Sequence, residues 1–217
     1  MLIDHWPLSG LRLRTPRLEL RLPSDDQLAA LADVAAAGVH EPDRMPFLVP
    51  WTDLPPAERA RSVVQYHWLR RGDWTPEDWS LTLAVLEDGR VVGQQALYAR
   101  EFATLREVRT SSWLGTAHQG RGIGTEMRAA VLHLAFAGLA AREAKSGALE
   151  GNEASWEVSR KHGYQPDGID RHVVRGQAVV TRRLRLTRAR WDERERRVPV
   201  RVEGLAPCLP LFGAGQG

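Results

Sequence analysis

The sequence predicts an α+β fold: a mixed, mostly antiparallel twisted sheet flanked by helices. Three observations carry that expectation. Strand-like alternation recurs in short runs, as in Leu81, Leu83 and Val85. A two-residue hairpin signal, Asp88-Gly89, joins that run to its return. Amphipathic helical stretches interleave with a mostly antiparallel meander, which is not the pattern of a doubly wound sheet.

The elements follow in order. Leu11, Leu13, Leu18, Leu20 and Leu22 keep period-two spacing on either side of Pro16 and predict early strands. Ser24 with Gln27 three residues on is a capping-box signature, opening a helix through Leu28, Leu31, Ala32 and Ala35 that stops near Gly38. Residues 41–56, broken by prolines, predict a long loop of the kind that is usually functional. A second helix is expected over 55–71. Strands follow at 81–85, 91–98 and 107–114. Gly120, Gly122 and Gly124 lead into a helix whose Ile123, Met127, Ala130, Val131, Leu134 and Ala135 share one face. A short strand within 142–149, a helix capped by Asn152 and closed by Gly163, and a hairpin turning at Arg175-Gly176 complete residues 1–195. Residues 196–217 form a C-terminal extension with three fates open: an extra strand, an arm onto a second copy in a homodimer, or a partly disordered tail.

Composition narrows the function classes. Of 217 residues, 43% are apolar and 26% charged, enough for a sizeable core and against a disordered chain. No stretch approaches the roughly 20 apolar residues that span a bilayer, and residues 1–13 lack the basic start and apolar run of a signal peptide. A cytoplasmic location is the expectation. Cys208 is the one cysteine, which excludes an intrachain disulfide and a cysteine-based metal site. The sequence pI is about 9.5, yet the formal net charge is only +3 and arginines alternate with acidic neighbours. No nucleic-acid-binding module accompanies them.

The segment Gln119-Gly120-Arg121-Gly122-Ile123-Gly124-Thr125 is the most informative. Closely spaced glycines before a helix let backbone amides converge on an anion, and the helix dipole adds partial positive charge. No Gly-Lys-Ser/Thr follows, so it is not a P-loop. Antiparallel strands precede it, which fits a dinucleotide fold poorly. The plain alternative is a tight turn with glycines chosen for steric reasons.

Trp113-Leu114 before this loop, the loop read as Gln119, Gly122 and Gly124, and Asn152-x-x-Ser155 followed by Gly163-Tyr164 together resemble the GNAT acyltransferases, and most of all their RimJ/RimL-like branch. The resemblance is specific over 107–165 and implies a sheet splayed at an acyl-CoA cleft. It implies acyl-CoA as co-substrate, acetyl-CoA by default, and no metal. By it, backbone amides from Gln119 through Gly120, Arg121, Gly122, Ile123 and Gly124 to Thr125 hold the pyrophosphate. The pantetheine arm runs beside Trp113 and Leu114; Asn152 bonds it or locks the turn, and Ser155 protonates the leaving thiolate. An amine is a sufficient nucleophile once neutral and positioned.

One departure from the family pattern is visible. Arg109 stands where related enzymes often carry a glutamate. Glu107, on the same strand face by alternation, is the substitute base, with Glu101, Asp78 and His118 as further candidates. Arg109 and Arg44 raise a sharper expectation: a carboxylate clamp for a succinyl-type donor or an acidic acceptor. Phe47 and Trp51 belong with Trp68, Trp74 and Trp79 to an aromatic set, part of which walls the acceptor site. The resulting expectation is an N-acyltransferase acting on an amine of a small molecule or protein. Its rivals are a non-catalytic acyl-CoA sensor and an arginine-rich nucleic-acid-binding protein.

Overall fold

A computed structural model describes residues 1–41, 43–194 and 198–215. Pro42 and the expected boundary between residues 195 and 196 lie outside the described residues. Along the chain run α1 (Leu2–His5), β1 (Arg12–Arg14), β2 (Leu18–Arg21), α2 (Asp25–Ala37), α3 (Pro56–Gly72), β3 (Asp78–Glu87) and β4 (Arg90–Arg100). Then come α4 (Phe102–Leu105), β5 (Glu107–Leu114), α5 (Ile123–His133), β6 (Glu143–Leu149), α6 (Glu153–Lys161), β7 (Gln165–Val174), β8 (Gln177–Thr187), α7 (Arg188–Asp192) and β9 (Arg201–Glu203).

The described strands form one sheet in the order β7-β8-β6-β5-β4-β3-β2-β1-β9. Its neighbours are antiparallel except β5 and β6, which are parallel. A parallel pair needs a crossover, and α5 supplies it. The parallel register runs only from Glu107↔Glu143 to Arg109↔Lys145. Beyond Arg109 the two strands part, and the sheet opens. The expected α+β sheet, splayed at that point, is the observed one.

Local chemistry explains the framework. The Ser24 hydroxyl accepts from Gln27 N at 3.3 Å while Gln27 Oε1 accepts from Ser24 N at 3.1 Å, closing the capping box that starts α2. Asp88 and Gly89 take φ values of 49° and 76°, as a two-residue hairpin requires. At Gly93, beside an irregularity in the β3–β4 register, an added Cβ would lie 2.4 Å from the Trp113 carbonyl oxygen. Only glycine lets β4 approach β5 there.

The core lies on both faces of the sheet. Ile123, Met127, Ala130, Val131, Leu134 and Ala135 are all buried against one face with Leu81, Leu83, Leu97 and Val108. Leu28, Leu31, Ala35 and Val63 from α2 and α3 form a smaller cluster that takes in Trp113. Trp113 and Leu114 are neighbours on β5 yet join different clusters, because successive strand side chains face opposite sides.

Residues 201–203 realise the extra strand. They pair antiparallel with β1, Leu13 opposite Val202. A 3-10 turn over Ala206–Phe212 then buries Cys208 and Phe212. Trp74 and Trp79 donate their indole N–H groups to Leu211 O at 2.8 Å and Phe212 O at 3.2 Å. Among the described residues, no helix is long and apolar enough to cross a membrane.

Candidate active site

A long cleft begins where β5 and β6 part. Its walls are β5 from Arg109 to Leu114, the end of β6, the start of α6, and the loop at 39–51; the glycine turn before α5 also borders it. It gathers most of the residues singled out in the sequence: Gln119, Gly120, Gly122, Gly124 and Thr125, then Trp113 and Leu114, Asn152 and Ser155, and finally Arg44, Phe47, Trp51 and Arg109.

The glycine turn is built to present amides. Gly120 and Gly122 have φ of +73° and +79°. Thr125 and Glu126 N–H groups both bond the Gly122 carbonyl at 3.1 Å, while the N–H groups of residues 120–124 have no backbone partner among the described residues. No side chain caps α5. Such a cluster of free amides at a helix start is an anion site. The Gln119 side chain is spent elsewhere: Nε2 donates to Val39 O at 2.8 Å and Leu114 O at 2.9 Å, tying the turn to the end of α2 and the end of β5. Ile123 turns its side chain wholly into the core, so only its backbone is available. Arg121 points away from the cleft, its Nη2 3.0 Å from Glu87 Oε2.

Beneath the turn lies an arrangement the sequence did not reveal. Glu126, 8% exposed, accepts from Thr15 Oγ1 at 2.6 Å, Arg17 N at 3.0 Å and Arg17 Nε at 2.7 Å. Burial alone would raise its pKa, but the hydrogen bonds from Thr15 and Arg17 outweigh that and lower it. Arg17 Nη1 also reaches Arg121 O at 3.2 Å. The partners are more than 100 positions apart, so only the acidic residue in a first helical turn hinted at them.

At the other end, Asn152 caps α6: its Oδ1 accepts from Ser155 N at 3.2 Å. Ser155, half-buried, lies on the first turn facing the cleft. His162, at the end of α6, bonds Thr125 O through Nε2 at 2.9 Å and so fixes α6 against the start of α5. Burial pushes its pKa down to about 4, which keeps it neutral.

The expected bases fall elsewhere. Glu107 lies outside the cleft lining, with Lys145 Nζ 2.5 Å and Arg109 Nε 3.8 Å from its carboxylate. It shares a strand face with Arg109, as alternation requires, but sits where β5 and β6 are still paired, short of the opening. Asp78 pairs with Arg100 at 2.9 Å, and neither Glu101 nor His118 lines the cleft. Carboxylates that do line it are Glu41, Asp43, Glu150, Glu153, Glu157, Asp167 and Asp170.

The aromatic set divides. His40, Phe47, Trp51 and Trp113 form a run of rings 5.3–5.8 Å apart along the loop wall. Trp74 and Trp79 fill the core against Phe212, and Trp68 is exposed. Outside the cleft lining, Asp53 meets Arg175 from the β7–β8 turn. On the floor lie Thr110 and Arg128, both buried, the latter another residue that no sequence signal singled out.

A parallel strand pair that opens over a glycine-rich helix start gives a cleft whose free amides suit a phosphate-bearing ligand lying along the gap in the sheet. Residues 17–165 match the acetyltransferase (GNAT) domain family, and the chain belongs to that family. Among solved structures it is similar to Mycobacterium smegmatis RimJ in complex with CoA-disulfide, with a TM-score of 0.65 at 17% identity over 96% of this chain and 97% of that one. It is also similar to RimL, a ribosomal L7/L12 alpha-N-protein acetyltransferase in complex with coenzyme A, with a TM-score of 0.63 at 18% identity over 80% and 95% of the two chains. At these identities the likeness concerns the fold. The probable N-acetyltransferase YjcK of Bacillus subtilis (strain 168) is 28% identical over 99 residues, 46% of this chain and about half (55%) of the relative's length.

Proposed function

We propose that this chain transfers an acetyl group from acetyl-CoA to a primary amine. The observation that carries this reading is the set of unpartnered N–H groups over residues 120–124, opening directly onto the gap between β5 and β6. The pyrophosphate of coenzyme A suits those amides and the positive end of α5. Beyond Arg109 the edge of β5 has lost its parallel partner. Alternate N–H and C=O groups of residues 110–114 are left to bond the pantetheine amides and to polarise the thioester carbonyl.

Asn152 spends its oxygen on the helix cap, which leaves its amide N–H groups for the pantetheine arm. Ser155 is the acid that returns a proton to the departing thiolate. Phe47, Trp51 and Trp113 wall the acceptor end, and the carboxylates of Glu41, Asp43 and Asp170 draw an ammonium toward it. Glu107 receives no proton-transfer role, since Lys145 holds its carboxylate. Arg44 and Arg109 lie in the acceptor half but are exposed, so they make a weak clamp for a succinyl donor.

Thermal unfolding with coenzyme A and acetyl-CoA, followed by release of free thiol across a panel of amines, tests the reading. Binding should raise the midpoint through linkage, and at least one amine should release thiol. No midpoint shift would overturn the coenzyme site. A shift without thiol release from any amine would mark a non-catalytic sensor.

A further inference from the structure

The closed end of the cleft is chemically unlike a site for a methyl group. Thr110 and Ser146 are the first residues past the last parallel pair, Arg109↔Lys145, and both line the cleft. Between them, from α5, lies Arg128. Its side chain is 3% exposed, its Nη1 lies 3.3 Å from Ser146 Oγ, and its Nε has no partner. Among the described residues, no carboxylate forms an ion pair with it. Thr110 Oγ1 and the Tyr164 hydroxyl are also buried, and neither makes a hydrogen bond of good geometry. The enclosed Tyr164 hydroxyl interacts with the side chains of both Thr110 and Arg128, neither of which brings a negative charge.

A guanidinium taken out of water without a counter-charge is strongly unfavourable, on the order of several kcal/mol. The hydroxyls around it supply no compensating negative charge. Native proteins keep such clusters where a ligand completes them. The missing partner is an anion with at least two oxygens, matched to a planar guanidinium fork and to the neighbouring hydroxyls.

We infer that Arg128, with Thr110, forms a carboxylate-binding subsite at the closed end of the cleft, and that it receives the distal carboxylate of a dicarboxylic acyl thioester. The inference rests on the coenzyme reading above and deepens it by naming the donor class. Position favours the acyl chain over the acceptor as the source. Ser155 stands beyond the end of β6, and Ser146 lies three residues back along that strand, about 10 Å deeper. An acyl chain directed inward from the thioester meets Arg128, whereas acceptors arrive past the aromatic wall. Arg44 and Arg109 are exposed and discriminate little in water; Arg128 is desolvated, where a charge-assisted pair is strong.

Titration calorimetry of the full chain with coenzyme A, butyryl-CoA and succinyl-CoA tests this, because the last two share a chain length and differ in charge. The wild type should bind succinyl-CoA at least about tenfold more tightly than butyryl-CoA, the discrimination of one charge-assisted pair. In Arg128→Met the ratio should fall to within about twofold. Should that variant fail to fold, Thr110→Val should still lower the ratio by about threefold, the worth of one hydrogen bond. Equal binding of the two thioesters by the wild type, alongside clear binding of coenzyme A, overturns the subsite and leaves the coenzyme reading standing. A ratio unchanged in Arg128→Met and Thr110→Val also overturns it. Failure to bind coenzyme A overturns both.

Discussion

Arg175 grips Asp53, Nε to Oδ2 at 2.8 Å and Nη2 to Oδ1, although 122 positions separate them. Asp53 ends the short turn over Trp51–Asp53, and Arg175 is the tip of the β7–β8 hairpin. The pair ties the loop carrying Trp51 to the β7–β8 hairpin, whose Asp170 and His172 line the cleft. Hydrogen bonding to Arg175 lowers the Asp53 pKa, so the latch holds above the usual carboxylate range and releases only as pH falls through the depressed folded value. Both side chains are well exposed, and global stability should not depend on them. Arg175→Ala is expected to raise KM for the amine by about threefold with no change in Tm, and high salt should do the same to the wild type. Steady-state kinetics at two salt concentrations check this.

His67 and His162 each titrate near 4, pushed down chiefly by burial. A histidine with a depressed folded pKa stabilises fully above its unfolded value and less as pH falls. Stability should therefore decline between about pH 6.5 and 4, by up to about 3 kcal/mol for each group. His162→Gln keeps a donor for Thr125 O and removes the titration. Urea unfolding at pH 7.5 and 5 should show a smaller loss in the variant.

Gly122 starts α5 at φ +79°, and an added Cβ would lie 3.5 Å from Arg17 Nη2. Gly122→Ala places an L side chain in the left-handed region, with a strain of about 1–2 kcal/mol. Coenzyme A affinity is expected to fall by about tenfold, because relief of the strain moves the amides that receive the pyrophosphate. Calorimetry on a variant with unchanged circular dichroism reads this directly.

Ser155→Ala leaves the Asn152 cap intact, since the bond uses the Ser155 backbone. If the hydroxyl protonates the thiolate, kcat should fall by about 10²-fold with KM for acetyl-CoA nearly constant. A matching fall in affinity and none in kcat would reassign Ser155 to binding.

Phe212 is wholly buried against Trp74 and Trp79. Phe212→Ala should destabilise the fold by about 3–5 kcal/mol, measured by urea unfolding. That is the penalty of a central core position.

Local signals made much of the fold legible. Ser24 and Gln27 carry the cap of α2 within four residues, and the apolar face of α5 repeats at helical spacing. The glycine turn and the Asn152-x-x-Ser155 start of α6 are equally local, and they located the two ends of the cleft. Long-range pairings left no such trace. Glu126 finds Arg17 and Asp53 finds Arg175 through the fold alone. Glu107 was placed on the correct face, but depth along the strand depends on where β5 and β6 part, which alternation does not encode. Arg128 reads as the polar side of a helix. Its burial comes from β6, whose strand returns to cover it. Three-residue β9 is too short for periodicity to register.

The pairing of β9 with β1 also sets a timetable for synthesis. Arg12 lies opposite Glu203, so this edge of the sheet joins the first strand to the last. Until residues 201–214 leave the ribosome, β1 presents an open hydrogen-bonding edge, and Trp74 and Trp79 lack their cover. The nascent chain must carry that exposed surface until those residues emerge, a stage at which edge pairing with another chain competes with folding. Slow elongation just before residues 201–214 emerge, or holdase chaperones acting at that stage, would therefore bear on yield more than conditions applied to the folded protein.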